Sequence, residues 1–183
     1  MAVGTLGSGC RDRGDEAGPQ GPGEATVVAV IDGDTIDVML GSRRERVRLL
    51  GIDTPETVDE RRPVGCFGPE ASARTAALLP KGTAVRLERD VEARDRFDRL
   101  LAYVHRRSDG LFVNLTLLEE GYAEVLVIEP NHAEVAALRA ARDRARSAGR
   151  GLWGACGEFG RPIDPGTGPS PSPSPSPGPS ATR

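Results

Sequence analysis

The stretch ATVVAVIDGDTIDVMLGSRRERVRLLGIDT (residues 25–54) decides the fold. It reads as three strands with two short connections. Val27 to Ile31 is rich in β-branched residues, which suit a pleated, half-buried surface. Asp32-Gly33-Asp34 breaks the run with an Asp-Gly pair, a pairing favoured in hairpin turns. Thr35 to Leu40 alternates, with Ile36, Val38 and Leu40 on one face. GSRR (41–44) turns the chain again. Arg44 to Leu50 returns, with Val47 and Leu49 inward and Arg48 on the opposite, outward face. Gly51 permits a bend or bulge just before Ile52-Asp53.

Outward from this stretch the pattern changes. PETVDERRPVGCFG (55–68) is a loop with two prolines and two glycines. PEASARTAALL (69–79) is helical, with Pro69 in the first turn and Gly82 soon after its end. TAVRLERD (83–90) and LLAYVHRR (100–107) supply strands four and five, separated by the charged loop VEARDRFDR (91–99). LFVNLTLLEEG (111–121) and HAEVAALRAARDRARSAG (132–149) are the remaining helices, and GLWGAC (151–156) closes the domain. Five short strands with helices inserted and appended predict an α+β fold. The expected architecture is a five-stranded OB-fold β-barrel with three helices.

The chain has 183 residues, enough for one domain with tails. The domain is expected over 25–158. Residues 1–24 are rich in Gly, Pro and charge, and 159–183 form a Pro-Ser tract. Neither can bury enough apolar surface to offset chain entropy, so both are expected to be disordered. The net charge of −3 argues weakly against a nucleic-acid binder, although carboxylates that hold a cation count as acidic only without it. No apolar stretch is long enough to span a membrane as a helix. MAVGTLGSGC (1–10) looks like the tail of a bacterial lipoprotein signal, with Cys10 as the lipid-bearing residue. An incidental cysteine in a disordered segment is the alternative. On the first reading the chain is exported, secreted or lipid-anchored, and its native start lies upstream. Cys66 and Cys156 fall within the folded part and are expected to form a disulfide; two separate thiols are the alternative.

Three segments carry unusual polar content: IDGDT (31–35), RLLGIDTPET (48–57) and DRFDRLLAYV (95–104). Asp34 and Asp53 each end a strand-like run, so their carboxylates converge if the strands are neighbours. Two such carboxylates, a backbone carbonyl and waters suit a hard cation such as Ca²⁺. Glu56 lies just beyond, within reach of a water beside the metal. Arg48 and Arg99 offer planar forks that match phosphate oxygens. Cation, base and two guanidiniums are what phosphodiester hydrolysis requires, because negative charge grows in its transition state. Singly, each element has a plain reading. DGDT is a common turn, DTPE is a helix start, and a lone arginine is usually solvated.

Together these segments resemble the thermonuclease family, with its staphylococcal-nuclease-like fold (TNase-like domain). The resemblance rests on IDGDT, RLLGIDTPET, FGPEASA, RLLAYV, LVIEPN and GLWGAC, spread over the whole expected domain. It implies an OB-fold and Ca²⁺-dependent cleavage of DNA and RNA, leaving 3′-phosphate and 5′-hydroxyl ends, by a monomer holding one ion. By position it implies Asp34, Asp53 and the Thr54 carbonyl as metal ligands, with Asp32 acting through water. It also implies Arg48 and Arg99 as phosphate-binding arginines and Glu56 as general base or water-orienting group. Two departures stand out. Asp98 sits beside Arg99, where it is expected to point away. Val127 and Glu129 stand where relatives carry tyrosines near the bound nucleotide, which implies weaker binding or altered base preference. The competing expectation is an OB-fold module that holds single strands without cutting.

Overall fold

The computed structural model describes residues 23–57 and 64–162. Cys10, the pair Arg61 and Arg62 in the loop after Glu56 (expected to be solvated, with a substrate contact as the alternative) and the Pro-Ser tract beyond Pro162 lie outside the described residues. Strands β1 (Gly23–Asp32), β2 (Thr35–Leu40), β3 (Arg43–Leu49), β5 (Ala84–Glu88) and β6 (Leu100–Arg106) close a barrel in the order β1-β2-β3-β6-β5. β3 and β6 run parallel, while β5 closes antiparallel onto β1. This is the five-stranded OB-fold barrel that the strand pattern predicts. Alternation fills it as expected: Val27, Ile36, Val38, Val47, Leu49, Val85 and Leu101 are buried in one core. β1 begins at Gly23, and Gly65 bridges Pro162, so ordered pairing extends past both ends of 25–158.

Helices α1 (Gly68–Leu78), α2 (Val113–Glu119) and α3 (Val135–Ser147) surround the barrel. A fourth, one-turn helix α4 (Leu152–Ala155) forms from GLWGAC, where no helix was expected. Another difference matters for the site. The third strand does not run on to Asp53. It breaks at Leu50, and a separate strand β4 (Gly51–Asp53) leaves the barrel to pair with β7 (Glu124–Leu126). Buried Asn114 on α2 bolts this break: it donates to the Leu50 carbonyl (2.8 Å) and accepts from the Val104 N–H (2.9 Å).

Gly51 makes the break possible. Its φ is +76°, in the left-handed region where only glycine is unstrained. A Cβ there would stand 2.2 Å from Leu138 Cδ1 on α3. Backbone strain and overpacking act together at this position. Gly51→Ala is expected to destabilise the domain by about 3 kcal/mol, read as a lower urea midpoint at unchanged slope.

Cys66 and Cys156 are joined by a disulfide with Cα atoms 6.1 Å apart, across a sequence separation of 90. In the chain-entropy picture, closing so long a loop contributes at most about 4–5 kcal/mol. The bond sits in a small second core with Ala145, Leu152 and Trp153, flanked by Phe67 and Phe159. The Glu129–Pro130 peptide bond is cis. Among the described residues no helix is long and apolar enough to cross a membrane.

Candidate active site

The turn between β1 and β2 packs directly on the end of β4. A Cβ on Gly33 would lie 2.6 Å from Thr54 Oγ1, so glycine lets the turn approach the Thr54 side chain this closely. The close approach brings Asp34 to Asp53. Asp34 is buried; its Oδ1 accepts from Thr35 Oγ1 (2.9 Å) and its Oδ2 from the Thr54 N–H (3.1 Å). Arg48 joins the pair through one nitrogen. Its Nη2 lies 3.0 Å from Asp34 Oδ2 and 2.8 Å from Asp53 Oδ1.

Arg48 was expected on an outward face. Instead its side chain is only 6 % exposed. Its Nη1 donates to the carbonyls of Leu49 (3.0 Å) and Ile52 (2.7 Å). The physical reason is the strand break. Carbonyls at a break need partners when buried, and the guanidinium curls round to supply them. One edge of the fork is thereby fixed to the backbone, and the other is held at the carboxylates.

Asp53 feels this crowding. Burial raises its pKa; Arg48 opposes that, and the charges of Asp34 and Glu56 push it up again, to about 6. Its ordinary value is 3.8. The folded state therefore binds this proton more tightly than the unfolded chain between about pH 4 and 6. Stability in the presence of chelator is expected to fall as pH rises through that window, and to stay lower above it. Asp53→Asn should remove that segment of the stability–pH curve, measured by denaturant titration at several pH values.

These donors suit a hard cation. Asp34 and Asp53 present like charges at close quarters, and a divalent ion would relieve their repulsion. Thr54 Oγ1 is buried beside them without a hydrogen-bond partner among the described residues. No group of three or more His, Cys, Asp or Glu able to hold a metal occurs among the described residues. An ion here would therefore rest on two carboxylates, carbonyl oxygen and water. The structure gives Asp32 another visible task. Its Oδ1 accepts from the Gly33 N–H (2.8 Å), Thr57 Oγ1 (2.6 Å) and Ser72 Oγ (2.8 Å). Asp32 thus ties the β1–β2 turn to α1 and to the segment that carries Glu56.

Glu56 is half-buried, and its Oε1 accepts from the Thr57 N–H at 3.1 Å. Its carbonyl accepts from the Gly65 N–H at 2.9 Å, which closes the loop on itself. Arg99 stands one residue before β6. Arg48, near the end of β3, pairs in register with Leu101, two residues beyond Arg99, so the end of β3 and the start of β6 bring the two arginines to neighbouring levels of adjacent parallel strands.

Asp95 is the residue that sequence reasoning missed. Its Oδ2 takes Arg99 Nε at 2.6 Å, and its Oδ1 accepts the N–H groups of Arg99 (3.0 Å) and Phe97 (2.9 Å). Burial pushes the Asp95 carboxyl up, but the hydrogen bonds from Arg99 and Phe97 outweigh it and hold the pKa below its ordinary value. The available signal was an Asp and an Arg four residues apart around a tight turn. Asp98 has φ +63° and is 88 % exposed; it faces Arg94, with its Oδ1 3.5 Å from Arg94 Nη1. Glu129 is exposed and meets His132 Nε2 at 2.6 Å. The segment 124–131 carries no aromatic side chain.

Residues 46–155 match the family described as Staphylococcal nuclease homologue. The chain is 37% identical to a thermonuclease of Staphylococcus hyicus over 127 residues, 69% of this chain and 73% of that protein. It is 40% identical to a thermonuclease of Staphylococcus intermedius over 132 residues, 72% of this chain and 77% of that one. This chain belongs to the staphylococcal nuclease family. It is also 40% identical to Endonuclease YncB of Bacillus subtilis (strain 168) over 134 residues, 72% of this chain and 62% of that protein. The stretch matched to the staphylococcal nuclease family holds Arg48, Asp53, Thr54, Glu56, Asp95 and Arg99, while Asp32 and Asp34 precede it and Cys156 lies one residue beyond.

Proposed function

We propose that this chain is an exported, Ca²⁺-dependent endonuclease that hydrolyses phosphodiester bonds of DNA and RNA as a monomer. Membership of the staphylococcal nuclease family makes nucleic-acid hydrolysis the coarse function. The observation that carries the finer reading is the convergence of Asp34 and Asp53 on one Arg48 nitrogen, beside Glu56. Asp34, Asp53 and the Thr54 carbonyl would hold the ion. When bound, Ca²⁺ supplies positive charge that polarises a phosphoryl oxygen and offsets the negative charge growing there.

The protein's own groups do the rest. Glu56 accepts a proton from the attacking water as its oxygen bonds to phosphorus. The bond from phosphorus to the 5′-oxygen breaks, and that oxygen leaves as a hydroxyl once protonated, so the phosphate stays on the 3′ side. Arg48 and Arg99 stabilise charge on the non-bridging oxygens. Arg48 is preset by its two carbonyl bonds, and Arg99 by Asp95. The retention of Glu56 and both arginines speaks against a module that only binds single strands. End-group analysis tests the bond broken. Fragments should be labelled directly by polynucleotide kinase without prior phosphatase; fragments that require phosphatase first carry 5′-phosphates and would refute the direction of cleavage. Export is supported by the disulfide, which persists in oxidising compartments.

A further inference from the structure

We propose that the Cys66–Cys156 disulfide is a positioning device for Glu56, so that cleavage follows the thiol redox state of the protein. The inference rests on the nuclease reading above and adds its regulation.

The path from the disulfide to Glu56 is short. Gly65, the residue before Cys66, donates its N–H to the Glu56 carbonyl at 2.9 Å. The contact is close-packed: a Cβ on Gly65 would meet Pro55 Cβ at 2.8 Å and the Glu56 nitrogen at 3.1 Å. Gly68 presses on the same segment, where a Cβ would meet Thr57 Cγ2 at 2.7 Å and the carbonyls of Pro55 and Glu56 at 3.0 and 3.1 Å. Glu56 is thus held by backbone surface at 65 and 68, on either side of Cys66. That surface is itself anchored to the end of the domain. Cys66 is bonded to Cys156 at the end of α4, its N–H donates to the Arg161 carbonyl (2.7 Å), and Gly65 bridges Pro162. The second anchor lies beyond the stretch matched to the nuclease family, which ends at residue 155.

Cutting the covalent link lets this segment shift against α4, and a misplacement of about 1 Å at a catalytic group can cost on the order of 10²-fold in rate. Cys66 is half-buried, whereas Cys156 is buried, so exchange begins at Cys66. A dithiol thiolate attacks Cys66 Sγ, and Cys156 Sγ leaves and takes up a proton. The second dithiol sulfur then closes on the mixed disulfide, and Cys66 leaves as a thiol. The protein gains two electrons and two protons, and the dithiol departs as its own disulfide. The reverse exchange with a small disulfide oxidant, which leaves as its dithiol, restores the bond, so the nuclease is held back while its thiols are reduced and activated when such a disulfide oxidises them.

The test compares oxidised protein, dithiothreitol-reduced protein and Cys66→Ser/Cys156→Ser, each folded by far-ultraviolet circular dichroism at the assay temperature. Reduction should lower kcat by about 10²-fold with KM unchanged. In a Glu56→Gln background the same reduction should produce no further loss, because the affected group is already gone. In an Arg99→Ala background it should still produce the full loss. Gly65→Ala, with the disulfide intact, perturbs the same path and should show the same signature, which keeps the test open if the reduced protein unfolds. Equal fractional loss on reduction in the wild-type and Glu56→Gln backgrounds, full activity of reduced folded protein, or full activity of Gly65→Ala would overturn the proposal. If oxidised wild-type protein cleaves nothing with Ca²⁺, the nuclease reading itself fails; if it cleaves and reduction changes nothing, only the redox inference does.

Discussion

Glu56→Gln should slow cleavage by about 10³-fold while leaving Ca²⁺ affinity essentially unchanged. The substitution is close to isosteric. An amide oxygen can still accept from the Thr57 N–H, and the backbone contacts to Gly65 and Gly68 are untouched. What is lost is the ability to accept a proton from water. The two candidate ion-binding carboxylates lie on other elements, Asp34 in the β1–β2 turn and Asp53 at the end of β4, so the candidate ion site keeps its ligands. Stopped-time digestion paired with calorimetric Ca²⁺ titration separates the outcomes. Equal loss of cleavage and affinity would make Glu56 a ligand; a loss below about tenfold would remove it from proton transfer, whose contribution is typically 10²–10⁴.

Arg99→Ala is expected to cost on the order of 10³ in kcat, the scale of losing one preorganised charge-stabilising group. The change also removes the charged partner of Asp95, whose side chain is only 11 % exposed, so some loss of folding stability is expected alongside and kcat is compared on folded protein. The alignment of Arg99 comes from Asp95, which grips its Nε and its backbone N–H together. Asp95→Asn should therefore show a milder loss of about 10-fold, since geometry degrades while the charge remains. Steady-state kinetics on a defined oligonucleotide distinguishes the two. A drop below tenfold for Arg99→Ala would exclude Arg99 from transition-state stabilisation.

The barrel could be read from alternation because its strands are half-buried and long enough to show a period. Ile36, Val38, Val47 and Leu49 point inward as the pattern requires. β4 and β7 escaped because three residues show no period, and their pairing is set by a partner about seventy positions away. The break between β3 and β4 also explains the misplaced Arg48. Alternation assigns a side, but it does not foresee that broken-strand carbonyls will draw a guanidinium inward. Asp34, Asp53 and Glu56 stand out in the sequence as candidates because carboxylates this close to strand ends are chemically unusual. Asp32 and Asp95 are chemically ordinary in the sequence; their roles as struts arise from hydrogen bonds to Ser72 and Thr57 and to Arg99, which only the fold brings about. The disulfide was legible from two cysteines inside the folded region, but its proximity to Glu56 through Gly65 was not.

The most direct measurement is digestion of plasmid and single-stranded DNA by the pure oxidised protein, with Ca²⁺ and with a chelator, alongside Asp34→Asn/Asp53→Asn. Cleavage by the wild-type protein that requires Ca²⁺ and is abolished in the double variant is the predicted result. Cleavage that persists in chelator, or a folded protein that binds DNA and Ca²⁺ without cutting, would contradict a calcium-dependent nuclease built on these two carboxylates.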